Sequence, residues 1–229
     1  RYGFITFCLY NFLQYYKPYL LLTFIDNDLR FYLLKKYFSK IYFVSIQNGI
    51  RGAYFDFFGL PNLKKISELK NFSCDYLFVF NNYVKLEYQK YIDAKIITCG
   101  SYKNNKVLDK KYIKNGIAFI SQYRKREKRE YIYHFEKKTI TWEEYFKDEK
   151  IILNSLYELA KLKKDNLYII GCSLRNKENE KVYYKKKYTN IKFKFIPRSS
   201  SNVYSSYEVL NKLKIIVTIN STLGYESLS

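Results

Sequence analysis

The chain has 229 residues, enough to bury a core of ordinary size and to form one large or two modest domains. Its 41 Lys+Arg against 21 Asp+Glu give a formal charge of +20, and 20% of the residues are aromatic; the basic residues are nevertheless scattered among Tyr and Phe with no RNA-binding fingerprint. A/T-rich codons would supply Lys, Tyr, Phe, Ile and Asn in the same way, so the composition implies a generic attraction to anionic surfaces and no specific nucleic-acid site. Cys8, Cys74, Cys99 and Cys172 stand far apart without a C-x-x-C pair, and His134 is the single histidine. That excludes the usual structural zinc patterns and a disulfide framework, and it fits a reducing cytoplasm. No apolar run reaches the ~18 to 20 residues of a membrane span. The chain opens on Arg1-Tyr2-Gly3 inside an apolar pattern and stops inside a helix, so truncation at both ends is expected.

In chain order, the first half reads as strands at 19–25 (YLLLTFI), 41–46 (IYFVSI), 76–80 (YLFVF) and 95–99 (KIITC). Helices are predicted near 10–16, 29–38 and 82–91. Short Ile/Val/Phe/Tyr runs alternating with helices of about ten residues imply parallel β-α-β units, doubly wound and covered on both faces. Residues 100–105 (GSYKNN) are polar and turn-rich and the pattern restarts at Gly116, which predicts domains of 1–112 and 113–229. The second half reads as strands at 117–121, 167–171, 191–196 and 214–219, with helices at 151–164, 178–187, 205–213 and from Ser221 onward. Between its first strand and first helix, 123–150 is a long charged insertion without a clear period. The fold class is therefore α/β, with two Rossmann-like domains facing a cleft and the second incomplete.

Four segments carry candidate chemistry. Ser221-Thr222-Leu223-Gly224-Tyr225-Glu226 follows a strand at the carboxyl edge of an α/β sheet, where such folds bind ligands. The amides of its first turn and the Ser221 and Thr222 hydroxyls suit a diphosphate, and Glu226 suits a ribose diol; the plainer alternative is that Ser221 caps the helix and Glu226 is solvated. Gln47-Asn48-Gly49-Ile50-Arg51-Gly52 follows the second strand, with polar side chains, backbone room and a cation, although Asn-Gly is also an ordinary turn. Asp26-Asn27-Asp28 contains a D-x-D that can hold a metal diphosphate, but capping of the helix from Leu29 explains it better, and no metal is expected. Ser121 and Arg124, and Arg198 after another strand, point basic groups to the same cleft or are solvated loops. His134, in the insertion, reads as a packed or surface histidine more readily than as a base.

Taken together, TFIDND (23–28), SIQNGIRG (45–52), DYLFVFNNY (75–83), CGSYKNN (99–105), AFISQYR (118–124) and TINSTLGYES (218–227) resemble bacterial surface-carbohydrate (O-antigen or capsule) biosynthesis proteins of the two-Rossmann-domain, GT-B type glycosyltransferase architecture. The resemblance implies a cytoplasmic enzyme, peripheral to the inner membrane in places, that moves a sugar from a nucleotide-sugar donor to a glycan or lipid-linked acceptor. The donor is a substrate, so no cofactor is implied. Ser221, Thr222, Gly224 and Glu226, with Gly49, Arg51, Ser121, Arg124 and Arg198, would bind the donor. Gln47 and Asn48 would face the acceptor and the reacting carbon, and Asp26 and Asp56 are the carboxylates to test first as the base. A sugar-nucleotide epimerase of the same fold, a basic nucleic-acid-binding protein and a non-catalytic scaffold of an assembly complex are the rival readings.

Overall fold

The computed structural model describes residues 3–49, 72–106, 113–125, 131–133 and 139–227. The chain divides into two compact units, one running to Tyr102 and the other from Lys103 to Leu228.

In the first unit, helix α1 (Gly3–Tyr16) precedes β1 (Leu20–Thr23), α2 (Leu29–Lys35), β2 (Tyr42–Ile46), β3 (Phe72–Val79), α3 (Asn82–Gln89) and β4 (Ile92–Thr98). Both α2 and α3 start where a short polar side chain can replace a missing intrahelical partner: Asp28 accepts from Arg30 N, and Asn81 accepts from Val84 N. The four strands are parallel and lie in the order β1-β2-β3-β4. Phe43, Leu77, Val79 and Ile96 bury one face against Phe31, Tyr32, Leu34 and Tyr88. Leu20, Leu22 and Tyr42, on the other face, remain exposed.

This corrects the doubly wound expectation for the first unit. A right-handed crossover to the next strand on the same side always falls on the same face, so an order that advances one neighbour at a time covers one face only. The reversal needed to cover the second face is absent from the described strands.

The second unit has that reversal. The short helix α4 (Tyr102–Asn105) leads toward β5 (Ile117–Ile120), which is followed by β6 (Tyr131–Tyr133), β7 (Thr139–Thr141), α5 (Trp142–Tyr145) and α6 (Lys147–Lys163). Then come β8 (Leu167–Ile170), α7 (Lys177–Lys187), β9 (Lys194–Ile196), α8 (Ser205–Leu210), β10 (Ile215–Val217) and α9 (Thr222–Glu226). The parallel sheet runs β10-β5-β8-β9: the chain steps outward from β5 to β9 and then returns to the far side of β5. Helices α6 and α7 cover one face through Leu153, Leu156 and Tyr184, while Leu210 and Leu213 cover the other. Every residue of β5 is accordingly buried, which is why IAFI reads as a continuous apolar run rather than an alternation. Gly116, at φ +85°, turns the chain into β5 where a Cβ would stand 2.7 Å from the Tyr168 ring.

The described residues of the charged insertion form regular elements that its sequence does not suggest. Strands β6 and β7 pair as an antiparallel hairpin, and α5 begins with a full capping box, Thr141 and Glu144 satisfying each other's backbone amides.

Candidate functional site

In a doubly wound sheet, ligands bind beyond the carboxyl ends of the strands that flank the reversal of winding. In the second unit those strands are β5 and β10, paired in register from Ile117 with Ile215 to Phe119 with Val217. The reversal therefore places Ser121-Gln122-Tyr123-Arg124 and Thr218-Ile219-Asn220-Ser221-Thr222 at adjacent strand ends, although about a hundred residues separate them in sequence.

On the β5 side, Ser121 is buried in a chain of polar groups. Its hydroxyl donates to Glu180 and accepts from Tyr123 N at 3.0 Å, and the Tyr184 hydroxyl lies 3.1 Å from it. Tyr184 also accepts from Gln122 N at 3.2 Å and donates to Glu149 at 2.6 Å. Glu180 takes the amides of Cys172 and Ser173 at 2.9 and 3.0 Å. The loop after β8 is thus closed by an internal carboxylate that accepts from the amides of Cys172 and Ser173. Burial, then the charge of Glu149, holds the Tyr184 phenol well above its ordinary range. Arg124 is exposed and its guanidinium lies 5.3 Å from the centre of the Tyr145 ring. Arg198, also exposed, donates to the Cys172 carbonyl at 3.3 Å from the end of β9.

On the β10 side, Ser221 occupies the N-cap position of α9 in an extended conformation, but its side chain makes no capping hydrogen bond. The plain capping role is therefore not what its hydroxyl performs. Gly224 is buried, and a Cβ there would meet the Thr218 methyl at 2.3 Å, so this glycine serves the close approach of helix to strand rather than the approach of a ligand. Glu226 is also buried; it accepts from the Tyr207 hydroxyl and lies 4.0 Å from Lys103 Nζ. Burial, then the bond to Glu226, raises the Tyr207 phenol above its ordinary range.

In the first unit the loops after β1 and β2 are tied together by Asp26, which is fully buried. Its Oδ1 accepts from Asn48 N at 3.1 Å, its Oδ2 accepts from the Tyr88 hydroxyl, and its backbone oxygen accepts from the Tyr32 hydroxyl at 2.7 Å. Gln47 is buried too, accepting from Phe80 N and donating to the Gly49 carbonyl, each at 2.8 Å. Among the described residues of this loop, Asn48 faces solvent, with Gln47 and Gly49 buried on either side of it. Asp28 goes elsewhere: it caps α2 and pairs with Arg30, whose hydrogen bonds outweigh the effect of burial and hold the carboxyl below its ordinary range. Arg51, Asp56 and His134 lie outside the described residues.

Tyr88, Tyr184, Glu180, Glu149, Tyr207 and Lys103 were not singled out from sequence. One signal was available: Glu180, Tyr184 and Tyr188 recur at i, i+4 and i+8 and so share one helix face. Among the described residues no group of three or more His, Cys, Asp and Glu is arranged to hold a metal ion. Burial pushes the Cys172 thiol up to about 11 and the Cys74 thiol to about 12, so neither is a nucleophile near neutral pH. Among the described residues no helix is long and apolar enough to cross a membrane.

Residues 44–229 match the model of a family described as "putative O-antigen biosynthesis protein". No curated protein matches the chain. The family match covers most of the chain, from within β2 through β3 and β4 of the first sheet to every element of the second unit, and the chain belongs to this O-antigen biosynthesis family.

Proposed function

We propose that the chain is a glycosyltransferase of GT-B type that moves a sugar from a nucleotide-activated donor to a glycan or lipid-linked acceptor of a surface polysaccharide. The donor is bound at the winding reversal of the second unit. The observation that carries this reading is the placing of Ser121–Arg124 and Ser221–Thr222 at neighbouring strand ends, in a chain of the O-antigen biosynthesis family.

In this reading the Ser221 and Thr222 hydroxyls and the amides beside them take the donor's phosphates, and Arg124 and Arg198 neutralise the charge that grows on the leaving diphosphate. The acceptor hydroxyl attacks the anomeric carbon, the bond to the diphosphate oxygen breaks, and a carboxylate takes the hydroxyl proton. Asp26, buried under Asn48, acts by positioning the loop that offers Asn48. Asp56 is the carboxylate to test as the base. Glu226 holds α9 through Tyr207 and Lys103, so its effect on the donor's ribose is exerted through the seating of that helix. The nucleotide sugar is a substrate, and the reaction as drawn uses no metal.

The test is a thermal-shift screen of the purified chain against UDP-, GDP- and CMP-sugars. One class stabilises it, by roughly 2.7 kcal/mol at a hundredfold excess over the dissociation constant. Arg124→Ala and Ser221→Ala each weaken that ligand by about tenfold, the loss of one charge-assisted or neutral hydrogen bond. No response to any nucleotide sugar, or variants that bind like the parent, overturns the assignment.

A further inference from the structure

Helix α1, GFITFCLYNFLQYY, contains no charged residue. It rests on the first unit by a narrow stripe of Thr6, Tyr10 and Leu13, spaced i, i+4 and i+7. Leu13 is 1% exposed, and the Tyr10 ring packs at 5.7 Å on Tyr37 and 5.3 Å on Phe38. The rest of the surface is open and apolar: Phe4, Phe7, Phe12 and Tyr15 are 80, 65, 52 and 81% exposed. Its two side-chain amides, also exposed, bond back along the helix, Asn11 Nδ2 donating to Phe7 O at 2.9 Å and Gln14 Nε2 to the Tyr10 hydroxyl at 3.0 Å. An uncharged helix with aromatic residues around most of its circumference is not a surface that water covers well, and contiguous patches of this kind mark interaction sites.

The groups around this face distinguish its occupants. At the carboxyl end of α1 an open pocket of about 410 Å³ is lined by Lys17 and Lys40 together with Tyr19 and Tyr37, and Arg30 lines a hollow at the amino end beside Phe4. The chain carries +20 overall. A second copy would bring an equally positive body to the same face, whereas an anionic lipid surface offers apolar depth and opposite charge together. Phe and Tyr side by side suit the boundary between headgroups and acyl chains. Fourteen residues span about 21 Å, short of the ~30 Å hydrocarbon layer, so such a helix lies in the boundary and does not cross it.

We infer that α1 seats the first unit on an anionic bilayer, its Phe4, Phe7, Phe12 and Tyr15 face immersed at headgroup depth and Lys17 and Lys40 against the lipid phosphates. The inference rests on α1 alone, so its failure and that of the donor-site assignment are read by different experiments.

The test is co-sedimentation of the purified chain with phosphatidylcholine vesicles, with and without one-third phosphatidylglycerol. The chain binds the mixed vesicles, weakens as salt rises and leaves the neutral ones largely unbound. The double variant Phe7→Asp, Phe12→Asp loses at least tenfold in affinity, while Lys163→Glu, an equal change of charge in the second unit, stays within about twofold. Phe12→Trp adds an emission that shifts to the blue on binding. A far-ultraviolet melt unchanged in the Asp double variant shows that the loss is not one of folding, since both residues are exposed. Absence of vesicle binding, or a double variant that binds like the parent, overturns the inference. So does concentration-dependent dimerisation abolished by the same two substitutions, which would give the face to a second copy.

Discussion

Three phenols converge on Glu149: Tyr183 and Tyr188 donate to Oε1 at 2.9 Å each, and Tyr184 donates to Oε2 at 2.6 Å. The carboxylate is buried, and Lys187 Nζ lies 3.9 Å away. Removing one member of such a group leaves the others desolvated without their partner. Glu149→Ala is expected to destabilise the second unit by about 3 kcal/mol and Glu149→Gln by less, both read from urea unfolding followed by the single tryptophan, Trp142. Gly224 makes a second residue-level prediction. Gly224→Ala forces a methyl against the Thr218 side chain and costs about 1 to 3 kcal/mol in the same assay. Combining it with Thr218→Ala, which removes the atom at 2.3 Å, recovers part of the loss. The position of Ser221 and Arg124 just beyond strand ends could be read from sequence, because apolar runs that end in hydroxyls and cations are local features. Glu149 could not, since a glutamate in KDEK looks solvated until Tyr184 and Tyr188 are known to stand over it.

Element identity was largely readable, because apolar runs and their spacing are local. Strands expected at 117–121 and 167–171 are β5 and β8, and helices expected at 178–187 and 82–91 are α7 and α3, with ends shifted by a few residues. The insertion is where local pattern failed. Strands β6 and β7 have three residues each, too few for alternation to show, and α6 starts at Lys147 behind a charged first turn. The capping box was legible as Thr141-x-x-Glu144, and it joins the hairpin to α5 and α6. Thr141→Ala removes the side-chain acceptor for Glu144 N and is expected to cost about 1 kcal/mol, while Thr141→Ser keeps most of it. Urea unfolding of the two variants checks the order.

At the scale of the whole molecule, the second unit concentrates tyrosines whose folded state resists ionisation. Burial and neighbouring carboxylates raise Tyr184, Tyr188 and Tyr207 above the ordinary 10.0. Below that value the phenols are neutral in folded and unfolded chains alike, and their contribution is fully present. Above it the unfolded chain releases protons that the folded chain retains, so stability falls as pH rises, by up to about 1.4 kcal/mol per unit for each group. The expected result is an unfolding midpoint that is level to about pH 9 and drops steeply beyond pH 10, with a shallower drop in Tyr188→Phe. A midpoint that stays level past pH 11 would contradict this account of the network.

By itself the sequence determined that the chain is α/β, that its pattern restarts after residue 100, and that polar and basic groups gather after strands. Periodicity and composition are properties of a few neighbouring residues, so they survive without a fold. Strand order is not such a property. Only the tertiary structure decided that the first sheet advances in one direction and leaves Leu20 and Leu22 uncovered, while the second reverses between β9 and β10. The same reversal brings Ser121 and Ser221 to neighbouring strands, and burial makes supports of Glu226 in the second unit and of Asp26 in the first. Pairing across a hundred residues is chosen by which faces the helices can bury, and that choice is made by the whole core at once.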